Sequence, residues 1–172
     1  MDEPTLYLAG GLFNAGERLH LLYLEKHLKL LGHKVVLPQR EALNFFDGGS
    51  FDVKGIVEHC RVRCEDAKNI FVGSSDGADA DSGTAIEYGI AITATGRAIV
   101  YRTDFRTDTE KELGMNAMFQ ARGTCFLYQP CYFTELDEVD DYYAKLARII
   151  HESLPLVTGV TRPEEPRPQG NA

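Results

Sequence analysis

The sequence predicts an α/β fold: one doubly wound, five-stranded parallel sheet with helices on both faces. Three observations carry the prediction. Short apolar runs alternate with longer stretches of helical periodicity, as in successive βαβ units. The runs are continuous and not alternating, as expected of strands buried on both faces. Two of the helical stretches close on a glycine, Gly32 and Gly96, just before the next run begins.

Thr5-Leu6-Tyr7-Leu8-Ala9 is the first strand, closed by Gly10-Gly11. Residues 16–31 place leucines at 19, 22, 28, 30 and 31 among charges, an amphipathic helix stopped by Gly32. Lys34-Val35-Val36-Leu37, ended by Pro38, is the second strand. Residues 39–50 are irregular. Phe45-Phe46 stand there before Asp47-Gly48-Gly49, either as a lid or base-stacking wall or as a cover over the core edge. Residues 51–68 carry Ile56, Val57, Cys60, Cys64 and Ala67 at helical spacing. Residues 69–73 form the third strand, and a helix runs from Gly83 to Thr95. Residues 98–101 are the fourth strand, Thr124–Tyr128 the fifth, and residues 139–154 the last amphipathic helix. Five strands suit the flavodoxin-like (Rossmann-like) order 2-1-3-4-5, in which strands one and three meet at the topological switch point where ligands bind. The loops at Gly10–Phe13 and Asp76–Ser82 then converge, and Tyr7 comes near Glu87.

A chain of 172 residues suits one domain. Residues 1–160 are assigned to it, and residues 161–172, with Pro163, Pro166 and Pro168, to a flexible tail. A net charge of −8 argues against nucleic acid and anionic membranes. No window reaches the roughly 18 apolar residues of a membrane helix. The start, Met1-Asp2-Glu3-Pro4, lacks a secretory layout, so a cytoplasmic location is expected, with Cys60, Cys64, Cys125 and Cys131 as free thiols. Cys60 and Cys64 share a helix face beside His59. Cys125 and Cys131 are poorly spaced to complete a metal site, so the first pair is read as small buried hydrophobes and no metal is expected. The five histidines are scattered and read as surface or core fillers.

The densest chemistry lies between strand three and the next helix. Asp76-Gly77-Ala78-Asp79-Ala80-Asp81-Ser82-Gly83 is an acidic, glycine-rich loop, and Glu87 follows about one turn into the helix. Crowded carboxylates at a strand-to-helix turn mark a candidate site. Ser82 or Asp81 can cap the helix. Side chains lean toward a helix N-terminus, so Gly83 is expected to clear a path for Glu87 to the helix mouth. There the helix dipole would favour the ionised carboxylate, a plausible nucleophile. The aspartates would repel a phosphate. Neither a dinucleotide-binding G-x-G-x-x-G nor a P-loop is present, and no serine has a G-x-S-x-G setting.

With these residues in place the chain resembles the nucleoside 2-deoxyribosyltransferases. The matching pieces, in the family's order, are residues 7–13, Leu37-Pro38, residues 76–89 with D-S-G-T-x-x-E-x-G as the most specific, residues 101–106, and Asn116-Ala117-Met118. The resemblance implies that Glu87 is the nucleophile that attacks C1′ of deoxyribose and that Tyr7 orients it. It implies that Asp81 contacts the substrate and helps protonate the leaving base. It places Phe13 near the base, and has Asn116 and Met118 reach into a neighbouring subunit's site. The expected catalytic set is Glu87, Tyr7 and Asp81; the expected substrate-binding set is Gly10, Phe13, Asp76, Ser82, Gly83, Asn116 and Met118. Some family members carry a base-contacting aspartate in the helix before strand three. Here those positions are Cys60 and Arg61, which leaves Gln39, Asp47 or Asp76 to recognise the base.

The implied partners are deoxynucleosides, free nucleobases and further copies of the chain in a homodimer or larger homo-oligomer; no cofactor is implied. The expected activity is transfer of 2-deoxyribose between bases through a deoxyribosyl-glutamate, with side hydrolysis. The alternatives are a 2′-deoxynucleoside or 5′-monophosphate N-glycosidase and a non-catalytic nucleotide-binding domain.

Overall fold

The computed structural model describes residues 4–105 and 116–159. The expected tail, and Arg106 of the matching pieces, lie outside these residues. The strands are β1 (Thr5–Ala9), β2 (Val35–Val36), β3 (Asn69–Ser74), β4 (Ala98–Arg102) and β5 (Thr124–Tyr128). They form one parallel sheet in the order β2-β1-β3-β4-β5, as the sequence predicts. The register that matters aligns Tyr7 of β1 with Phe71 of β3.

The helices are α1 (Ala15–Leu30), α2 (Pro38–Glu41), α3 (Val53–Glu65), α4 (Ser82–Thr95) and α5 (Glu138–Thr158), with 3-10 turns at Ala42–Phe45 and Ala117–Gln120. The short α2 and its following turn replace the irregular stretch expected at 39–50; Pro38 opens α2, where its missing N–H costs nothing. Pro155 lies inside α5, which runs past the expected end at Leu154.

Strand alternation divides the core in two. Leu6, Leu8, Ile70, Val72, Ile99 and Tyr101 face α1 and α5 and pack on Leu21, Leu24, Leu28, Leu146, Ile150 and Val157. Tyr7, Ala9, Phe71, Ala98 and Val100 face α3 and α4 and pack on Cys64, Tyr88, Ala91 and Phe119. The first cluster is mostly aliphatic, with Tyr101 and Tyr143 among its members. The second is aromatic, with Phe71 between Tyr7 and Tyr88 at ring separations of 6.3 and 5.9 Å.

Two loops at the carboxyl edge of the sheet are fixed by local bonding. Asn14 caps α1 through Glu17 N at 3.0 Å, and Glu17 Oε2 accepts from Phe13 N at 2.8 Å and Asn14 N at 3.3 Å. A Cβ at Gly11 would overlap that carboxylate at 2.6 Å, so the capping box needs glycine there. Asp81 caps α4: its Oδ2 accepts from Thr84 N at 2.8 Å and Thr84 Oγ1 at 3.1 Å.

Candidate active site

Tyr7 and Glu87 meet at the switch point between β1 and β3. The Tyr7 hydroxyl donates to Glu87 Oε1 at 2.7 Å. Tyr7 is 1% exposed and cannot leave its strand without disrupting the aromatic core. Glu87 is half-buried. Burial raises its carboxyl above the ordinary range, against the hydrogen bond from Tyr7 that lowers it; the nearby Asp81 charge adds to the rise. The helix dipole is expected to favour the ionised form; burial acts in the opposite direction and is the largest influence on this carboxyl. Burial also raises the Tyr7 phenol, with the Glu87 charge as the second cause, so Tyr7 remains a donor.

A cleft of about 400 Å³ opens at the carboxyl edge, lined by Gly10, Gly11 and Glu17 from the start of the chain and by Ser74, Asp76, Gly77, Asp79 and Asp81 after β3; neither Tyr7 nor Glu87 is among its lining residues. Asp81 links the cleft to Glu87, since its charge acts on Glu87 and it is one of the lining residues. A Cβ at Gly83 would approach Asp81 Oδ2 to 3.1 Å and no other side chain within 4 Å. Gly83 thus spares the cap and does not clear a path for Glu87, which turns to the sheet. Ser82 is exposed at the first position of α4.

Asp76 is not free to read a base. Oδ1 accepts from Thr103 N at 2.6 Å and Asp104 N at 2.8 Å, and Oδ2 from Ser74 Oγ at 3.0 Å and Thr103 Oγ1 at 2.7 Å. Arg102, 2% exposed, completes the lacing by donating to Ser75 O at 2.7 Å and Gly77 O at 3.1 Å. Asp104 accepts from Gly77 N at 3.2 Å. These bonds tie the acidic loop to the segment after β4. Asp47 is likewise engaged, accepting from Gly49 N at 2.9 Å and Ser50 N at 2.8 Å. It borders a second cavity of about 330 Å³ with Phe45, Phe46 and Phe51, apart from the cleft. Phe46 and Phe51 stack on each other at 4.8 Å and remain half-exposed, a loop pair and not a seal over the core. Gln39 is 5% exposed; its Nε2 donates to Arg18 O at 3.3 Å, and its buried Oε1 has no hydrogen-bond partner among the described residues.

Phe13 (81% exposed) and Met118 (77%) stand in solvent on the isolated chain. Asn116, also exposed, caps its own 3-10 turn by accepting from Met118 N at 3.0 Å. None of the three lines the cleft.

Two features escaped the sequence. His20 lines the cleft floor, with Nδ1 2.9 Å from the Tyr143 hydroxyl and Nε2 2.9 Å from that of Tyr101, joining α1 to β4 and α5. Burial lowers its pKa, so the ring is neutral and one tyrosine donates while the other accepts. Its single heptad-like position among leucines gave no hint of this. The second is the turning of Cys60 and Cys64 toward Tyr7 and Glu87, which the i,i+4 spacing allows but does not specify. All four cysteines are free. Among the described residues no three His, Cys, Asp or Glu side chains gather as metal ligands, and no helix is long and apolar enough to cross a membrane.

Fold and site together define a flavodoxin-like α/β protein with a tyrosine-held carboxylate at the switch point of its sheet. Residues 6–118 match the family model described as nucleoside 2-deoxyribosyltransferase, and the chain belongs to that family of deoxyribosyltransferase-type enzymes. No curated protein matches it by sequence. Among solved structures it is similar to a conserved protein from Enterococcus faecalis V583, at 18% identity and a TM-score of 0.63 over 88% of this chain and 99% of that one. The Clostridium botulinum CMP N-glycosidase BcmB aligns at 14% identity and a TM-score of 0.51, over 84% and 98% of the two chains. A 2-deoxyribosyltransferase from Bacillus psychrosaccharolyticus aligns at 22% identity and 0.48, over 83% and 95%. The first two likenesses establish the fold alone.

Proposed function

We propose that the protein transfers 2-deoxyribose between nucleobases through a covalent deoxyribosyl-Glu87 intermediate. The observation that carries this reading is the 2.7 Å bond from Tyr7 to Glu87 Oε1 in a chain whose residues 6–118 match the nucleoside 2-deoxyribosyltransferase family. The ionised carboxylate attacks C1′ as the glycosidic C–N bond breaks; the base leaves with the electron pair and takes up a proton, for which Asp81, a cleft residue whose charge reaches Glu87, is the proposed donor. A nitrogen of a second base then attacks C1′ from the vacated face. Glu87 departs as carboxylate, the incoming base loses a proton, and configuration at C1′ is retained. Water in place of the second base gives hydrolysis. The exposed side chain of Met118, with Asn116 beside it capping the same turn, faces solvent on the isolated chain, and a homodimer or larger assembly with shared sites is part of this proposal.

Glu87 must be ionised to attack, and burial raises its carboxyl. Activity therefore falls on the acid side at a higher pH than a solvated glutamate would give. A cleft lined by Glu17, Asp76, Asp79 and Asp81 favours nucleosides over nucleotides.

The test is to incubate the protein with deoxyinosine and free adenine or cytosine. The expected result is the exchanged deoxynucleoside, with a deoxyribosyl adduct on Glu87 by mass spectrometry. Absence of exchange with every base pair tried overturns the reading. Faster cleavage of deoxyadenosine 5′-monophosphate than of deoxyadenosine would favour a monophosphate glycosidase.

A further inference from the structure

In a sheet of this order the loop after β1 and the start of α1 form a ready seat for a phosphate. Glycines let the backbone approach, and unpaired N–H groups with the helix dipole attract an anion. This chain has those parts. Gly10 and Gly11 follow β1, α1 is 16 residues long, and both glycines line the cleft of about 400 Å³ together with Gly16 and Glu17 of α1.

The chain's own side chains fill that seat. Glu17 Oε2 accepts from Phe13 N at 2.8 Å and Asn14 N at 3.3 Å, and Asn14 Oδ1 accepts from Glu17 N at 3.0 Å. These are donors that a bound phosphate would use. The Glu17 carboxyl lies against Gly11, where a Cβ would come within 2.6 Å of its Cδ. No lysine or arginine is among the residues lining the cleft to offset the charge; the adjacent Arg18 donates to Leu12 O at 3.1 Å. The other lining acids differ from Glu17. Asp76 is saturated by four donors, and Asp81 caps α4. Asp79 is exposed, where water and salt screen it, whereas Glu17 is half-buried and held in place.

We propose that Glu17 is a specificity-determining residue: its carboxylate occupies the anion seat at the start of α1 and thereby excludes nucleoside 5′-monophosphates from the cleft. This rests on the function proposed above, whose preference for nucleosides it traces to one side chain.

The experiment uses the full chain with Glu17→Gln and Glu17→Ala. Glutamine removes the charge and keeps an acceptor for the two N–H groups, since Glu and Gln both close a capping box. Alanine removes the charge and frees both donors. The ratio of kcat/KM for deoxyadenosine over its 5′-monophosphate should fall about tenfold in Glu17→Gln, the size of one like charge near a phosphate at a partly screened site, and further in Glu17→Ala. Glu152→Gln, the same change of charge at an exposed position of α5, should leave the ratio in place. A second readout needs no turnover. Millimolar inorganic phosphate should raise the Tm of Glu17→Ala and leave that of the wild type unchanged. A ratio unmoved in Glu17→Gln, or a Glu17→Ala protein that phosphate does not stabilise, overturns the proposal. A wild type that exchanges no base overturns the proposed function instead, while the response of Tm to phosphate still decides whether Glu17 fills the anion seat.

Discussion

Asp76 and Glu87 stand at the two ends of one strand-loop-helix segment and are opposite kinds of carboxylate. Asp76 has both oxygens engaged, by two backbone N–H groups and two hydroxyls. Glu87 has one oxygen held by Tyr7 and is raised by burial. The first is saturated and joins two loops. The second is under-solvated, held by few donors, and stands beside a cleft. Proximity in the sequence does not make two acids alike; the number of donors each receives separates the structural group from the one proposed to react.

That contrast can be broken in order of effect. Glu87→Ala should reduce base exchange by roughly a thousandfold or more, with the fold intact by circular dichroism, because no other group takes over the covalent step. Asp76→Ala should do the reverse. It strands Thr103 N and Asp104 N and costs about 2–4 kcal/mol of stability in denaturant melts. Asp76→Asn keeps an acceptor for those amides and costs less. Should Asp76→Ala leave stability untouched, the division between the two acids fails. Tyr7→Phe should lower kcat about tenfold without abolishing exchange, since it removes one donor from Glu87 and little packing.

The smallest effect sharpens the comparison most. A carboxyl raised in the folded state contributes stability that is complete below its unfolded value, near 4.3, and lost as pH rises through the folded value. Ionised Glu87 is thus a cost to the fold at neutral pH. Glu87→Gln should raise Tm by about 2–4 °C at pH 7, with the gain vanishing toward pH 4, measured by thermal melts across that range. A lowered Tm at pH 7 would show that the carboxylate is solvated and the contrast with Asp76 mistaken.

The sheet was legible because its signals are local and repeated. The apolar run at Thr124–Tyr128 and the glycines at 32 and 96 mark strand and helix ends without reference to tertiary contacts. Strand order then brought Tyr7 to Glu87. What could not be read was how each carboxylate is solvated. Nothing in Asp76-Gly77-Ala78 announces that the backbone of residues 103 and 104 closes over Asp76, because that contact depends on where β4 ends relative to β3. Gly83 was assigned to Glu87 by helical leaning, but Glu87 bonds Tyr7 on β1, and the side chain close to Gly83 is that of Asp81. Cys64 is the small buried hydrophobe its spacing suggests, 3% exposed in the core with Tyr7, Phe71 and Tyr88, while Cys60 is half-buried.

The bond between Tyr7 and Glu87 also says when the site comes into being. The two residues belong to β1 and α4 and meet only once β1 has paired in parallel with β3, a non-local step that must overcome loop-closure entropy. A slip of one residue in that pairing would turn Tyr7 to the α1–α5 face and leave Glu87 alone. The Tyr7–Glu87 pair is therefore a product of the slowest class of contact in the chain, and a partly folded molecule with its helices formed but β1 unpaired lacks the proposed site.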